Sequence, residues 1–449
     1  MATDLLRNIL NRIDIAGKIG NFPDWYITEL KGFKTRWSTD MLVDVSDSVS
    51  GKKKTESFKL VRVRHRTPDN RWITGGGCRH HPDVTLSQME SHALEMSFKD
   101  WTFGIPHGGS KGGCAVDPKR YSKEDMIAIT TKETEEAMEA GVIGPYKDRW
   151  APDIGTGENE MKWIQDQFSY EMRKRGTPEP ASTVTGKPLL YGGMPGRKEA
   201  TGRGLHYALR TFRKETAVNL PETPTAVLQG FGNVGFHFAR LAEEFGIKII
   251  DVQDIYGGVY HPNLPIKDLL AYVERNPQKS VFGFHEVCNG DAIQNPEELF
   301  SIEADIVIPA ALEEAITAKI ANTMKCKIVL EAANGPTHPD AELILEDKQI
   351  CIAPDILVNA GGLIVSYFEW AFDTHIPPFD PLLDIPKYKD ESLVFAALQG
   401  AITRNSKAVI DVRNHLNKKK MPLSYRLASM IYGMNRVLLF FATKRKKDF

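Results

Sequence analysis

Long hydrophobic runs are missing from this chain of 449 residues. No stretch approaches the roughly 20 apolar residues that span a bilayer, so no membrane helix is expected. No signal peptide is expected either, because Asp4, Arg7, Asn11, Arg12 and Asp14 interrupt any apolar core near the start. Cysteine is scarce: Cys78, Cys114, Cys288, Cys326 and Cys351 are scattered and odd in number. That excludes a disulfide framework and points to reduced thiols in a cytoplasmic protein. Cys78 stands near His80 and His81, but no second ligand pair follows at a zinc-like spacing, so no metal is expected. A dominant charge is missing too. Lys+Arg number 57 and Asp+Glu 58, for a formal net charge of -1. Bulk electrostatics therefore gives no case for nucleic acid or an anionic membrane as a partner. The basic run Lys444-Arg445-Lys446-Lys447 reads as a solvated helix end.

What is present is an ordinary globular balance, 42% hydrophobic and 26% charged, long enough for two or three domains. Apolar spacing predicts helices over 4–19, 85–98 and 125–141, the last capped by Ser122. Near-alternation of Phe58, Leu60, Val61 and Val63 with charged residues predicts a strand over 57–66 with one wet face. Proline and glycine crowd between Gly176 and Gly204, and the domain boundary is expected there, near Gly186. Beyond it, short apolar runs at 225–229, 247–252, 304–308, 327–330 and 350–353 alternate with helical stretches. That pattern predicts a parallel, doubly wound sheet.

Two glycine-rich stretches carry chemistry. Gly230-Phe-Gly-Asn-Val-Gly235 lies between a predicted strand and a predicted helix, and Asp254 ends the following strand. This is the context of a dinucleotide site. Gly230 permits the turn, Gly232 the approach of a pyrophosphate, and Gly235 the packing of helix on strand, with Asn233 and Val234 in the same cradle. The pyrophosphate would lie on the helix N-terminus. Asp254 would accept from ribose hydroxyls and repel a 2′-phosphate, which favours NAD, with NADP possible. The second stretch is Pro106-His-Gly-Gly-Ser-Lys-Gly-Gly113. It reads as a tight turn, with Lys111 either solvated or brought into a dry pocket where its pKa falls. Neither lysine beside a glycine fits a Walker loop: Lys187 is followed by proline, and Lys111 by glycine. Arg79, Lys99, Lys111 and Asp153 form a kit suited to an α-amino acid, with one ammonium for a carboxylate, one for activation and an aspartate for protons.

These motifs resemble the glutamate/leucine/phenylalanine/valine dehydrogenase family over nearly the whole chain. The resemblance rests on Gly76-Gly-Cys-Arg-His-His-Pro82, the Lys111 stretch, Ala151-Pro-Asp-Ile-Gly155, Gly196-Arg-Lys-Glu-Ala-Thr-Gly-Arg-Gly204 and the Gly230 fingerprint. It continues through Pro309-Ala-Ala-Leu312, Glu331-Ala-Ala-Asn-Gly-Pro336 and Asn359-Ala-Gly-Gly-Leu-Ile-Val-Ser366. The overall pattern is most similar to the hexameric glutamate dehydrogenase branch. The resemblance implies an α/β substrate and oligomerisation domain (1–186) and a Rossmann-like doubly wound dinucleotide-binding domain (187–423). An active-site cleft would lie between them, and a final helical segment, 424–449, would pack back on the first domain. It implies Lys111 and Asp153 as catalytic residues and Lys99 as the holder of the α-carboxylate. Gly75, Gly76, Ser366 and Asn359 would line the substrate, and Thr201, Asn334 and Ala310 would lie by the cofactor. The implied reaction is reversible oxidative deamination of an amino acid to a 2-oxo acid and ammonia by a homohexamer.

One position departs from the pattern. Glutamate-specific members carry a lysine where this chain has Gly75, while Ser366 keeps the position of the serine that supports the side-chain carboxylate. Met194 departs as well, where serine is frequent. Arg66, Arg71 or Arg79 could replace the lost charge. Glutamate is the first expected substrate and an apolar amino acid the second. A nucleotide-binding regulatory protein without catalysis, or another two-domain Rossmann enzyme, are the competing readings.

Overall fold

The computed structural model describes residues 2–46, 53–67, 73–177, 181–295, 297–375, 384–418 and 423–445. Two compact units emerge. The first comprises Met1–Arg197, Leu363–Ala397 and Met430–Phe449, the second Lys198–Gly362 and Leu398–Ser429.

The first unit is built on five strands: β1 (Phe33–Ser46), β2 (Lys53–His65), β3 (Thr74–His80), β4 (Gly108–Cys114) and β5 (Asp148–Pro152). Their order is β1-β2-β4-β3-β5, with antiparallel pairing as far as β4 and parallel pairing from β4 through β3 to β5. The predicted wet face holds for the outer part of the sheet. Met41, Val43 and Val45 are buried while Leu42 and Asp44 face water. From Leu60 to His65, β2 is buried on both faces, because β1 and β4 flank it and helix Leu86–Thr102 covers it. That helix is capped by Thr85, whose hydroxyl accepts from Gln88 N–H. Helix Lys123–Glu139 starts at the expected Ser122 in a reciprocal capping box with Asp125.

The stretch around Lys111 is not a turn. It is β4, an interior strand. Its glycines serve close packing: a Cβ on Gly109 would lie 2.1 Å from the carbonyl oxygen of Ala93 and 2.4 Å from the nitrogen of Ser97. Only a glycine there lets the helix backbone rest directly on the sheet.

The second unit carries β6 (Thr225–Gln229), β7 (Lys248–Asp254), β8 (Gly257–Tyr260), β9 (Asp291–Ile293), β10 (Ile306–Pro309), β11 (Ile328–Leu330) and β12 (Cys351–Ala353). Their order is β12-β11-β10-β6-β7-β8-β9. The five strands from β12 to β7 are parallel, as expected, but β8 and β9 add an antiparallel edge. The turn from β7 to β8 holds only Ile255 and Tyr256, too short for the crossover that a parallel neighbour requires. One face packs Val227, Val307 and Val329 with Leu299, Phe300 and Leu345.

The domain limits differ from the expected ones. The first break falls after Arg197 instead of Gly186, because Thr185 N–H donates to Trp150 O and Gly186 N–H to the Glu369 carboxylate. Residues 363–397, expected in the dinucleotide domain, belong to the first unit. Glu369 pairs with Lys187 at 2.8 Å, and the Trp370 indole donates to Pro145 O at 2.8 Å. The last helix, Tyr425–Arg445, joins the first unit from Met430 onward. There the Tyr26 hydroxyl donates to Met434 O at 2.6 Å and Arg436 to Thr102 O at 3.0 Å. Among the described residues no helix is long and apolar enough to cross a membrane.

Candidate active site

Strand alternation puts Gly75, Gly77 and Arg79 of β3, Lys111 of β4, and Arg149 and Ala151 of β5 on one face of the first sheet, with Asp153 just past the end of β5. There the Lys111 ammonium lies 3.0 Å from Asp153 Oδ1, and Arg79 Nε donates to Asp153 Oδ2 at 2.7 Å. Arg79, Lys99 and Lys111 are all buried. The Asp153 loop is held by its own N–H, which donates to Thr156 Oγ1, and by that hydroxyl's bond to Cys78 O. Gly77 makes room for the pair: a Cβ there would lie 2.7 Å from Asp153 Cβ and 3.2 Å from Lys111 Nζ.

Burial pushes the Lys111 pKa down. Asp153 pulls it back, while Arg79 and Lys99 push it down again, and it ends below the ordinary lysine value. Burial alone would raise Asp153, but Lys111 and Arg79 outweigh it and hold the carboxyl below the usual carboxylate range. An amine with eased deprotonation beside a firmly ionised carboxylate is chemically suited to passing protons. Two cationic side chains, Arg79 and Lys111, on one carboxylate also leave positive charge for a ligand anion.

Ser366 stands apart from this pair, in a second cluster on the same unit. Arg149 Nη1 donates to Ser366 Oγ at 2.7 Å, and Thr185 and Ser366 share a hydrogen bond of 2.5 Å. Gly75 lies beneath the Arg149 side chain, and Gly76 packs so tightly on β4 that a Cβ would sit 1.7 Å from Ser110 O. Neither of the two described arginines offered as a replacement for a lysine at Gly75 serves as one. Arg66 is exposed and donates to Glu29 at 2.7 Å, Arg79 is committed to Asp153, and Arg71 lies outside the described residues. The sequence reading missed Arg149. Its signal was available: 149, 151 and 153 share one face of an extended strand. Cys78 and His80 meet a third group on the other face of β3, where the Cys78 thiol donates to Glu133 at 3.3 Å and His80 Nε2 lies 2.8 Å from it. His81 is not part of this buried trio.

In the second unit Gly230 has φ +92, in the left-handed region, and a Cβ there would lie 2.8 Å from Ala310 O. A Cβ on Gly235 would lie 2.0 Å from Gly230 O, so the helix Asn233–Leu241 packs onto the turn. At Gly232 nothing lies within 4 Å of a Cβ, and the helix begins there without a side-chain cap. Open space at an uncapped helix N-terminus fits a pyrophosphate. β10 and β7 flank β6 on opposite sides, so this end of the sheet is the topological switch point. Asn359 Nδ2 reaches Asn334 Oδ1 at 3.2 Å and the carbonyls of Ala332 and Ala333. Thr201 packs against Gly361 nearby. Thus Ala310, Asn334, Asn359 and Thr201 belong to the cofactor unit, Asn359 there as a brace for Asn334. Asp254 is half-buried, and its two oxygens accept from Tyr256 N–H and Val281 N–H, both at 2.8 Å. Each oxygen keeps a further lone pair for a ligand hydroxyl.

Known proteins resemble this chain in sequence and in fold. The family model Glutamate/Leucine/Phenylalanine/Valine dehydrogenase matches residues 192–440, and the model Glu/Leu/Phe/Val dehydrogenase, dimerisation domain, matches residues 40–170. The NADP-specific glutamate dehydrogenase of Synechocystis sp. is 31% identical over 458 residues, covering 100% of this chain and 99% of that one. The NAD-specific glutamate dehydrogenase A of Halobacterium salinarum is 38% identical over 319 residues, 71% of this chain and 70% of that one. A crystal structure of hetero-hexameric glutamate dehydrogenase from Thermus thermophilus, in a Leu bound form, superimposes with a TM-score of 0.82 at 28% identity. It covers 97% of this chain and 95% of that one.

Proposed function

This chain belongs to the glutamate/leucine/phenylalanine/valine dehydrogenase family and is an NAD(P)-dependent amino acid dehydrogenase, and we propose that it interconverts glutamate with its 2-oxo acid and ammonia using NAD. The observation that carries this reading is the buried Lys111–Asp153 pair, 3.0 Å apart and anchored by Arg79.

In the proposed reaction Lys99 pairs with the substrate α-carboxylate. A bound nicotinamide supplies the acceptor for the hydride that leaves Cα, and the substrate becomes an iminium. Lys111, in its neutral form, takes a proton from water as that water's oxygen bonds to the iminium carbon. Asp153 relays a proton to the amine nitrogen, the C–N bond breaks, and ammonia departs as the carbonyl forms. Amino acid, oxidised cofactor and water thus give oxo acid, ammonium, reduced cofactor and one proton. The low dielectric around the buried pair strengthens each of these charge interactions.

The choice of NAD rests on Asp254, since the relatives include NADP-specific and NAD-specific enzymes. A carboxylate fixed by two backbone N–H groups would repel a 2′-phosphate. A homohexamer is our reading of the assembly, supported by the matched dimerisation segment. Five free cysteines support a cytoplasmic location. The test is reduction of NAD and of NADP by the purified chain with each common L-amino acid. Glutamate with NAD should show the highest kcat/KM. Activity confined to apolar amino acids would replace glutamate as the substrate, and no reduction with any of them would defeat the catalytic reading.

A further inference from the structure

The reading of the site as an amino acid dehydrogenase leaves open how it would recognise a substrate side chain without a lysine at position 75. We propose that Arg149 is the specificity-determining residue and that it selects a side chain ending in a carboxylate. The proposal rests on the function above and adds the residue that carries its substrate preference.

Steric reciprocity comes first. A Cβ on Gly75 would lie 2.9 Å from Arg149 Nε and 3.0 Å from both Cγ and Cζ. The guanidinium therefore rests against β3 in the volume that any side chain at 75 would occupy. Gly75 and Arg149 are paired in register on adjacent parallel strands. The absent lysine and the present arginine are two halves of one exchange, with the cation delivered from β5.

Position comes second. Lys111 Nζ lies over Gly77 and the guanidinium over Gly75, two residues along the same strand. That separates the two groups by about 7 Å. An amino acid with two methylenes between Cα and a terminal carboxylate spans this gap, with a hydrogen-bond contact at the far end.

Charge comes third. Arg149 is 3% exposed. Its hydrogen-bond partners are all neutral: Ser366 Oγ at 2.7 Å, Thr185 Oγ1 at 3.3 Å and His107 Nδ1 at 3.4 Å. Burial and the nearby guanidinium keep His107 well below its ordinary pKa. Among the described residues no carboxylate lies within 4.0 Å of the guanidinium, and Glu369 is paired with Lys187 at 2.8 Å. The carboxyl oxygens of Asp100 make no hydrogen bond, and burial pushes that group up to about 8. Asp100 acts on the guanidinium only at a distance, without an ion pair. A buried guanidinium without a close counter-ion is costly to maintain, and a ligand carboxylate would both neutralise it and accept from Nη2, which Ser366, Thr185 and His107 leave to a ligand. Ser366 and Thr185 fix its orientation.

The test measures glutarate and pentanoate binding by calorimetry, and kcat/KM for glutamate and 2-aminopentanoate, in wild type, Arg149→Gln, Arg149→Lys and Gly75→Ala. Glutarate affinity should fall about 100-fold in Arg149→Gln, with pentanoate changed less than about threefold. The kcat/KM for glutamate should fall in parallel, while that for 2-aminopentanoate holds or rises. Arg149→Lys should recover part of the loss. Gly75→Ala, which keeps the charge but displaces it, should weaken glutarate about tenfold. Unchanged NADH affinity reports an intact fold. Glutarate binding within about threefold of wild type in both Arg149→Gln and Gly75→Ala would overturn the proposal. A wild type that prefers 2-aminopentanoate to glutamate would also overturn it, while leaving the dehydrogenase reading in place. A wild type that oxidises no amino acid would end that reading, and the glutarate arm would still decide the role of Arg149.

Discussion

Replacing Lys111 with alanine isolates the chemistry from the scaffold. The substitution deletes a buried ammonium 3.0 Å from Asp153. If Lys111 activates water, its loss should lower kcat by about 10²–10⁴, which is about 3–5.5 kcal/mol of barrier. The structural penalty should be much smaller, for two reasons. Asp153 keeps the Arg79 donor at 2.7 Å, so the carboxylate is not left buried and unpaired. Removing the lysine also relieves its repulsion with Arg79 and Lys99. A stability loss of about 1–2 kcal/mol is expected, within the ordinary range for a single substitution. The Gly230–Gly235 cradle belongs to the other unit, so cofactor affinity should stay within about twofold. The assay pairs steady-state reduction of the cofactor, read by absorbance, with a fluorescence titration of NADH and a thermal melt. Turnover above about a tenth of wild type would refute the assignment. A cofactor affinity that falls as far as kcat would mean that structure, not chemistry, had been removed.

Two further outcomes follow from the same geometry. Gly77→Ala should lower kcat about 10- to 100-fold without weakening NADH binding, because its Cβ would intrude to 2.7 Å from Asp153 and 3.2 Å from Lys111 Nζ. Kinetics equal to wild type would show that the pair tolerates displacement. Asp100 predicts a pH dependence of stability. Its folded pKa is raised to about 8, while the unfolded value is near 4. Between these values the folded chain holds a proton that the unfolded chain has released, so this contribution to stability declines as pH rises from about 4 to about 8. Asp100→Asn should flatten that decline in thermal melts taken across the window, and an equally steep decline in the variant would count against the assignment.

Much of the site was legible because it lies in contiguous motifs. Lys111, Asp153 and the Gly230 fingerprint each announce a local requirement of backbone or chemistry, and Ser122 announced a helix start for the same reason. The glycines around Lys111 misled: poor strand formers that usually mark turns here line an interior strand so that a helix can lie directly on it. The antiparallel edge at β8 was hidden because hairpin and crossover differ by the length of one connection, not by the pattern of the strands.

By itself, then, the sequence determined the family and the two-unit α/β architecture, and it named the candidates for a cofactor cradle and for proton transfer. Those properties reside in short segments whose backbone geometry or chemistry is set locally. Only the tertiary structure decided that residues 363–397 return to the first unit, that Ser366 meets Thr185 there, and that the space at Gly75 is filled by Arg149. Those facts depend on strand register and on packing between residues far apart in the chain, such as the hydrogen bond from Arg149 to Ser366 across 217 positions. A steric exchange between neighbouring strands leaves no periodic or local signal, because each residue makes sense only once the other is beside it.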